Sequence, residues 1–258
     1  MKLGDKRFRM ATIGIFDSGS GGLSVYRELV KVLPEEQYHY FADNAHCPYG
    51  EKTPAYIQDR ARFITDFLLG KGADIIVVAC NTATAAAIAT LRSEYPEIPF
   101  IGMEPAVKPA ALGTRSGVIG VLATAGTLKG SKYLDTRGRY ASGVKVVEHV
   151  GQGFVELVEN GILDGPEAES TVRASVTPLL EKGADILVLG CTHYPFLLPV
   201  IQKVAGEGVR IIDPAPAVAR HTVRVLQSHT IPMDEGPFSI ELHSSGPSDS
   251  LHRIFALI

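Results

Sequence analysis

The sequence predicts an α/β fold of two pseudo-symmetric lobes, each a mainly parallel sheet flanked by helices, with a site in the cleft between them. Apolar runs alternate with helical patterns along the chain, and the decapeptide KGADIIVVAC at 71–80 returns as KGADILVLGC at 182–191. The match continues downstream, where Pro105 recurs at the same offset as Pro216. A repeat of about 110 residues is the size of a domain rather than of a solenoid unit, and it predicts paired lobes.

In the first half, short apolar runs predict three strands, over 11–16, 38–43 and 75–79. Apolar residues at helical spacing predict helices over 23–33 and 53–70, and a third that Asn81 or Thr82 opens. The run IIVVA at 75–79 is continuous and β-branched, which is typical of a strand buried on both faces of a parallel sheet.

The second half repeats this order. The predicted strands are 118–123, 144–150 and 186–190, and the predicted helices are 167–181 and THYPFLLPVIQKV at 192–204. The segment 221–227 has a helical pattern that needs a sheet to cover, so we expect the chain to return to the first lobe. We therefore predict a first lobe of residues 1–100 plus 213–258 and a second lobe of residues 101–212.

Composition narrows the class of protein. The 258 residues are 45% hydrophobic and carry a formal net charge of −3, which does not favour nucleic acid as the primary partner. No run approaches the roughly 20 apolar residues of a membrane span. The apolar run after the basic N-terminus lasts only from Ile13 to Phe16, too short for a signal peptide. We expect a cytoplasmic protein whose three cysteines stay reduced.

The chemistry points to Cys80 and Cys191, which end the two copies of the repeat. Each follows a strand and precedes a predicted helix, at the carboxyl edge of a sheet where open α/β folds bind ligands. The positive end of a helix stabilises a thiolate and binds carboxylates. Two thiols that face each other across a cleft suit the removal of a proton from one face of a carbon and its return to the other.

Polar neighbours support this interpretation. Asp17 and Ser18 are placed to hold an ammonium group and assist Cys80, and His193 has the matching position beside Cys191. Donors to a substrate carboxylate at the two helix starts are offered by Asn81, Thr82 and Thr192.

Other interpretations compete with these. A lone cysteine at the end of a buried strand is usually a small apolar residue. Zinc could be held by Cys80, Cys191 and His193, but no CxxC or HxxxH spacing supports it, and we expect no metal in this site. The DSGSGG loop could bind phosphate or be a tight turn. Cys47 has no counterpart in the other half and is interpreted as a bystander near the cleft. In PYG, Tyr49 and Gly50 offer backbone N–H groups to a carboxylate or form a plain turn.

Four motifs then carry a resemblance over nearly the whole chain: FDSGSGG (16–22), PYG (48–50), ACNTA (79–83) and GCTHYPFL (190–197). In this order and spacing they resemble the cofactor-independent glutamate racemases of bacteria. The resemblance implies a small-molecule substrate, no pyridoxal phosphate or other cofactor, and interconversion of L- and D-glutamate by two thiols for peptidoglycan synthesis. We expect a homodimer. Family members that a peptidoglycan precursor activates carry an N-terminal extension not found here, so we do not expect that regulation.

Transferred by position, Cys80 removes the α-proton of D-glutamate and Cys191 that of L-glutamate, with Asp17 and His193 as auxiliary acid/base groups. Glu159 matches a further acidic residue, in a stretch that departs from the family pattern. The substrate contacts implied by the resemblance are Asp17, Ser18, Tyr49, Gly50, Asn81, Thr82, Thr124, Thr127, Thr192 and His193.

Three alternatives stay open at this point. The first is a racemase of aspartate or another acidic amino acid, which would share the two thiols. The second is a single-cysteine decarboxylase or an isomerase, against which the presence of both Cys80 and Cys191 argues. The third is a non-catalytic protein that binds acidic metabolites, in which the duplicated thiols would be a coincidence.

Overall fold

The computed structural model describes residues 11–228 and 238–258. Within these residues the strands are β1 (Thr12–Asp17), β2 (Gln37–Ala42), β3 (Ile75–Val78), β4 (Phe100–Ile101), β5 (Val118–Ala123), β6 (Lys145–Val150), β7 (Ile186–Gly190), β8 (Arg210–Ile212) and β9 (Ser239–Ser244). The helices are α1 (Leu23–Val32), α2 (Pro54–Gly70), α3 (Asn81–Glu94), α4 (Val107–Gly113), α5 (Ala125–Lys129), α6 (Ser131–Tyr140), α7 (Phe154–Glu159), α8 (Gly165–Glu181), α9 (Leu198–Ala205), α10 (Ala215–Ser228) and α11 (Asp249–Phe255).

The strands form two sheets in which every described pair is parallel. The first sheet has the order β4-β3-β1-β2-β9 and the second has the order β8-β7-β5-β6. Strand for strand, β1 to β4 therefore correspond to β5 to β8, and β9 extends the first sheet at one edge. This topology confirms the predicted α/β fold class and gives the internal repeat a structural basis.

Helices cover both faces of each sheet, as burial of β1, β3 and β7 on both sides requires. In the first sheet, α1 and α10 pack on one face and α2 and α3 on the other. In the second, α8 and α9 pack on one face and α4 and α6 on the other. One apolar cluster runs from the first sheet to the second, so the two sheets share part of their core.

Local sequence explains where the longest helices begin. Helix α2 starts at Pro54, which is favourable at the first helical position, and the side chain of Thr53 accepts a hydrogen bond from the amide of Tyr56. Helix α8 starts two residues earlier than predicted, at Gly165, because Asp164 caps it.

One predicted helix is wrong at its start. The sequence favoured a helix directly after Cys191, but the structure has a turn, a 3₁₀ segment over Tyr194–Leu197 and then α9. Pro199 lacks the N–H that an α-helix would donate to the carbonyl of Pro195, so the α-helical pattern cannot begin at Thr192. Cys191 therefore precedes a short 3₁₀ turn rather than an α-helix N-terminus.

Helix α10, which contains the segment 221–227, packs against α1 on the first sheet. Strand β9, in the C-terminal part that the sequence left without a structure, also joins the first sheet. The division of the chain near residues 100 and 212 stays a prediction, and the parts of it over 1–10 and 229–237 lie outside the described residues. In the described part of the chain, no helix has the length and apolar character to cross a membrane.

Candidate active site

The two matched cysteines lie on the wall of a single cavity. Cys80 follows β3 and Cys191 follows β7, and their exposed fractions are 5% and 7%. The cavity has a volume of about 10 Å³, which is room for about one water molecule. The other residues that line it are Ser18, Pro48, Tyr49, Gly50, Asn81, Thr82, Thr124, Val155, Thr192 and His193.

The thiol of Cys80 lies against the start of α3. Its Sγ accepts a hydrogen bond from the amide of Ala83 at 3.4 Å, and the hydroxyl of Ser18 lies 3.9 Å away. Burial and the negative charge of Asp17 raise the pKa of Cys80 well above its ordinary value. The resting form of this sulfur is therefore the protonated thiol.

Asp17 ends β1 directly behind this thiol and has no exposed surface. Its carboxylate accepts hydrogen bonds from the amides of Gly22 at 2.5 Å and Ser18 at 2.6 Å, and from the Thr192 hydroxyl at 3.0 Å. Burial raises the pKa of Asp17 and outweighs the opposing effect of His193 and of these donors. Because Thr192 follows β7, Asp17 joins the carboxyl edges of the two sheets.

The thiol of Cys191 has a different partner. Its Sγ lies 3.7 Å from Nδ1 of His193, and Nε2 of His193 lies 2.7 Å from the carboxylate of Glu159. Burial lowers the pKa of His193, but the hydrogen bonds and charges of Cys191 and Glu159 dominate and raise it well above its ordinary value. His193 is therefore an imidazolium at neutral pH.

Glu159 is held from both sides. Ser20 donates to it with its amide at 2.7 Å and with its hydroxyl at 3.0 Å. Burial alone would raise the pKa of Glu159, but the hydrogen bond and charge of His193 and the amide of Ser20 lower it to about 2. The carboxylate stays ionised and fixes the orientation of the imidazolium beside Cys191.

Asn81 presents an unsatisfied amide at the cavity. The side chain is buried, and neither its nitrogen nor its oxygen has a hydrogen-bond partner among the described residues. Buried polar groups nearly always have a partner, and an orphan of this kind costs about 1–3 kcal/mol. The geometry therefore suits a polar ligand that completes both halves of this amide.

Three threonine hydroxyls lie together across the cleft. Thr82 Oγ1 lies 2.8 Å from that of Thr124 and 3.3 Å from that of Thr127, and the latter two lie 3.0 Å apart. Thr82 lies in the first turn of α3 in the first half, and the other two belong to the start of α5 in the second. Thr127 does not line the cavity, so it supports the other two from behind.

Tyr49 lines the cavity, and its hydroxyl belongs to a buried hydrogen-bond network. The hydroxyl donates to Asp43 at 2.5 Å, and Arg60 donates to the same carboxylate at 2.7 and 2.9 Å. Burial would raise the pKa of Asp43, but the bonds from Arg60 and Tyr49 lower it below its ordinary value. This buried network fixes the PYG segment next to Cys80.

Cys47 lies beside the cavity but does not line it. Its Sγ, a carboxylate oxygen of Glu159 and a ring nitrogen of His193 all lie within 4.8 Å of one another. Burial raises the pKa of Cys47 to about 12, so it is a neutral thiol. Its interpretation as a bystander stays a prediction.

The structure thus brings together most of the residues singled out in the sequence, with Asp17 and Thr127 one layer behind the wall. Sequence reasoning missed Ser20, Asp43 and Arg60. The first is one of several small residues in a Gly-rich loop, and the other two follow no motif, so only the folded chain shows their contacts.

Comparison with known proteins identifies the family of this chain. The family model described as Asp/Glu/hydantoin racemase matches residues 13–222. A glutamate racemase of Ectopseudomonas mendocina is 48% identical over 96% of this chain and 94% of its own length. The chain belongs to the Asp/Glu/hydantoin racemase family. It is therefore an isomerase of the racemase class.

Solved structures of glutamate racemases have the same fold as this racemase. The enzyme of Escherichia coli in complex with L-glutamate and the activator UDP-MurNAc-ala has a TM-score of 0.87 at 33% identity, and the match covers 96% of this chain and 94% of that one. The enzyme of Francisella tularensis in complex with D-glutamate has a TM-score of 0.82 at 28% identity, with coverage of 96% and 92%.

Proposed function

We propose that this racemase interconverts L- and D-glutamate by a cofactor-independent acid/base mechanism with two cysteines. The observation that supports it most is the placement of Cys80 and Cys191, which come from matched strands of the duplicated halves, on the wall of one cavity. The relatives named glutamate racemase at nearly full length, and the solved relatives with L-glutamate and with D-glutamate, support the substrate.

In the proposed reaction the α-carbon of the substrate lies between the two sulfurs. With D-glutamate, the thiolate of Cys80 removes the α-proton, and the C–H electron pair stays on the substrate as a carbanion delocalised into the α-carboxylate. The thiol of Cys191 then gives its proton to the opposite face, which yields L-glutamate. L-glutamate reacts by the reverse sequence, in which Cys191 is the base and Cys80 the acid.

The two sulfurs have unlike partners for this task. Cys80 rests as a thiol beside the Asp17 carboxyl group, which is placed to take its proton. Cys191 lies 3.7 Å from Nδ1 of the His193 imidazolium, which is placed to exchange a proton with it. Glu159 keeps that imidazolium in place. The site can thus supply a base and an acid to the same carbon at the same time.

Neutral donors would bind the substrate carboxylates. Of the described residues that line the cavity, none is a lysine or an arginine. The cavity wall offers such donors at Asn81, Thr82 and Thr192. The side-chain amide of Asn81 has no other partner among the described residues, so it would bind the substrate. A cavity of about 10 Å³ is far smaller than glutamate, so the lobes must separate to admit it and close around it. Closure excludes water and strengthens every electrostatic contact with the carbanion.

The product, D-glutamate, would serve peptidoglycan synthesis in the cytoplasm, and we expect the enzyme to act as a homodimer. The activator named for the Escherichia coli relative, UDP-MurNAc-ala, supports a link to that synthesis.

The decisive experiment follows inversion and solvent exchange together. Protein freed of metal and cofactor is incubated in D2O with each glutamate enantiomer, and optical rotation and deuterium at Cα are measured. We expect inversion with deuterium uptake from either enantiomer. In Cys80→Ala or Cys191→Ala, inversion should fall by at least about 10²-fold, because a general acid or base contributes about 10²–10⁴-fold.

Cys47→Ala is the matched control, because it removes the third thiol without touching the cavity wall, and it should retain inversion. Normal racemisation by the Cys191→Ala variant would disprove the mechanism. Faster inversion of aspartate than of glutamate in the same assay would show that the protein is an aspartate racemase instead. Binding without any exchange at Cα would favour a non-catalytic binding protein.

A further inference from the structure

A second cluster of ligand-type side chains lies away from the cysteine cavity, on the edge of the first sheet. His39 is in β2, and Glu241 and His243 are in the neighbouring strand β9. Parallel pairing places His39 beside Glu241, and His243 is two residues further along β9. Alternate residues of a strand share a face, so the three side chains project from the same side of the sheet. None of them lines the cysteine cavity.

The three facing atoms form a nearly equilateral triangle. Nδ1 of His39 lies 3.3 Å from Nε2 of His243 and 3.5 Å from Oε2 of Glu241, and the last two atoms lie 3.6 Å apart. These are the same three atoms in every pair. In a tetrahedral zinc site with bonds of about 2.1 Å, neighbouring ligand atoms are about 3.4 Å apart. The triangle therefore has the dimensions of one face of such a tetrahedron.

Hydrogen bonding accounts less well for these contacts. An N–H donor and its acceptor are normally about 2.9–3.0 Å apart, so the pair of imidazole rings is spaced too widely for a strong bond. Lys71 approaches Glu241 with Nζ at 3.3 Å, which is also long for a charge-assisted contact. The side chain of Lys71 is 40% exposed, so a cation that binds Glu241 can displace it into solvent.

The rings are also held in place by their surroundings. His39 and His243 stack with centroids 5.5 Å apart, and Phe67 of α2 packs edge-on against His243 at 4.9 Å. His39 is buried and the side chain of His243 is 17% exposed, whereas Glu241 is 55% exposed. The arrangement is thus rigid on the histidine side and open to solvent on the carboxylate side, which leaves a fourth position for water.

We propose that His39, Glu241 and His243 form a binding site for a divalent transition-metal cation of the zinc class, which ties the C-terminal strand β9 to β2. Two imidazoles and one carboxylate at tetrahedral spacing are a donor set that suits Zn²⁺. The ion stabilises the attachment of residues 238–258 to the first sheet. It takes no part in proton transfer at the cysteines, so the proposal is independent of the racemase mechanism.

Another cluster in the same chain could bind the same metal ion. Cys47, Glu159 and His193 also place three ligand-type atoms within 4.8 Å of one another, but they belong to the candidate active site. A thiolate ligand gives Co²⁺ an intense sulfur-to-metal charge-transfer absorption that nitrogen and oxygen ligands do not give. Co²⁺ therefore distinguishes the two clusters directly.

The test uses the full chain without a polyhistidine tag, freed of metal and titrated with Co²⁺ and then with Zn²⁺. We expect one Co²⁺ per chain with the visible d–d bands of a tetrahedral site and no charge-transfer band, followed by its displacement by Zn²⁺. Zn²⁺ should also raise the Tm of the wild-type protein. His243→Gln and Glu241→Gln should each weaken binding by at least about tenfold and abolish the Zn²⁺-dependent rise in Tm.

The matched controls are His252→Gln, which removes an exposed histidine of α11, and Cys47→Ala, which removes the competing cluster; both should bind as the wild type does. Circular dichroism and the metal-free Tm establish that each variant is folded, and Glu241→Gln is the safest because its side chain is mostly in solvent. Unchanged binding by folded His243→Gln and Glu241→Gln would overturn the proposal, and so would a charge-transfer band that disappears in Cys47→Ala.

Discussion

The ion pair between His193 and Glu159 gives a prediction with a definite magnitude. The two groups are 2.7 Å apart, with side-chain exposures of only 2% and 18%. Glu159→Gln keeps the shape of the side chain and its acceptor oxygen but removes the charge. The folded state lowers the pKa of Glu159 from 4.5 to about 2, which corresponds to about 3 kcal/mol of stability where the carboxylate is ionised. Breaking one side of a buried pair costs a similar 3–5 kcal/mol.

The pH dependence of this stabilisation has a defined sign. The pKa of Glu159 is lower in the folded state, so its contribution is present above pH 4.5 and is lost as the pH falls towards 2. The pKa of His193 is higher in the folded state, so its contribution is complete below pH 6.5 and is lost as the pH rises through the folded-state value. The pair therefore contributes most between pH 4.5 and 6.5.

Urea unfolding of the wild-type protein and of Glu159→Gln measures the effect. We expect the free energies of unfolding to differ by about 3 kcal/mol at pH 5.5 and by less than about 1 kcal/mol at pH 2.5. Glu97→Gln makes the same chemical change at an exposed site and should alter neither value. Equal differences at the two pH values, or no difference at pH 5.5, would refute the assignment of this pair as a buried, ionised contact.

Two further substitutions test the packing around the site. In Gly21→Ala the new Cβ would collide with the imidazole ring of His193. The rate of glutamate inversion should therefore fall at least about tenfold, while circular dichroism shows an unchanged fold. Gly138→Ala is the control, because its Cβ meets no atom within 4 Å, and it should behave as the wild type. Arg60→Met leaves the fully buried carboxylate of Asp43 without its cation and should lower the free energy of unfolding by about 3 kcal/mol in urea; an unchanged value would show that the bond from Tyr49 suffices.

The fold could be predicted from the sequence because its strongest signals are local and repeated. The strands that precede the two cysteines are continuous apolar runs that contain β-branched residues, and such runs have few alternatives to a strand buried in a parallel sheet. Their duplication then predicts the matched topology of the two sheets. The short strands β4 and β8 were missed because two or three residues carry no readable period.

The site was predictable only where a motif marks it. The polar residues next to Cys80 and Cys191 come directly after a strand. The carboxyl edge of each sheet therefore places them at the cleft. The prediction of a helix directly after Cys191 was wrong because Pro199 lacks the backbone N–H donor that the helix needs there. The spacing of apolar residues does not show this loss.

Contacts between distant segments carry no such signal. Arg60 meets Asp43 across 17 residues, and His39 meets His243 across 204. Nothing local in the sequence links the members of either pair, and the second depends on β9, a strand that sequence patterns did not place.

The size of the cysteine cavity has a consequence for turnover. With room for about one water molecule, the closed site gives the sulfurs almost no contact with bulk solvent. In the proposed mechanism each turnover leaves the proton on the opposite sulfur from where it began. The protonation state of the two sulfurs in the free enzyme therefore depends on which enantiomer was released. Protons must exchange with solvent to restore the starting state before the enzyme can convert the same enantiomer again. At high substrate concentration this reset, rather than the chemistry at carbon, would limit the rate.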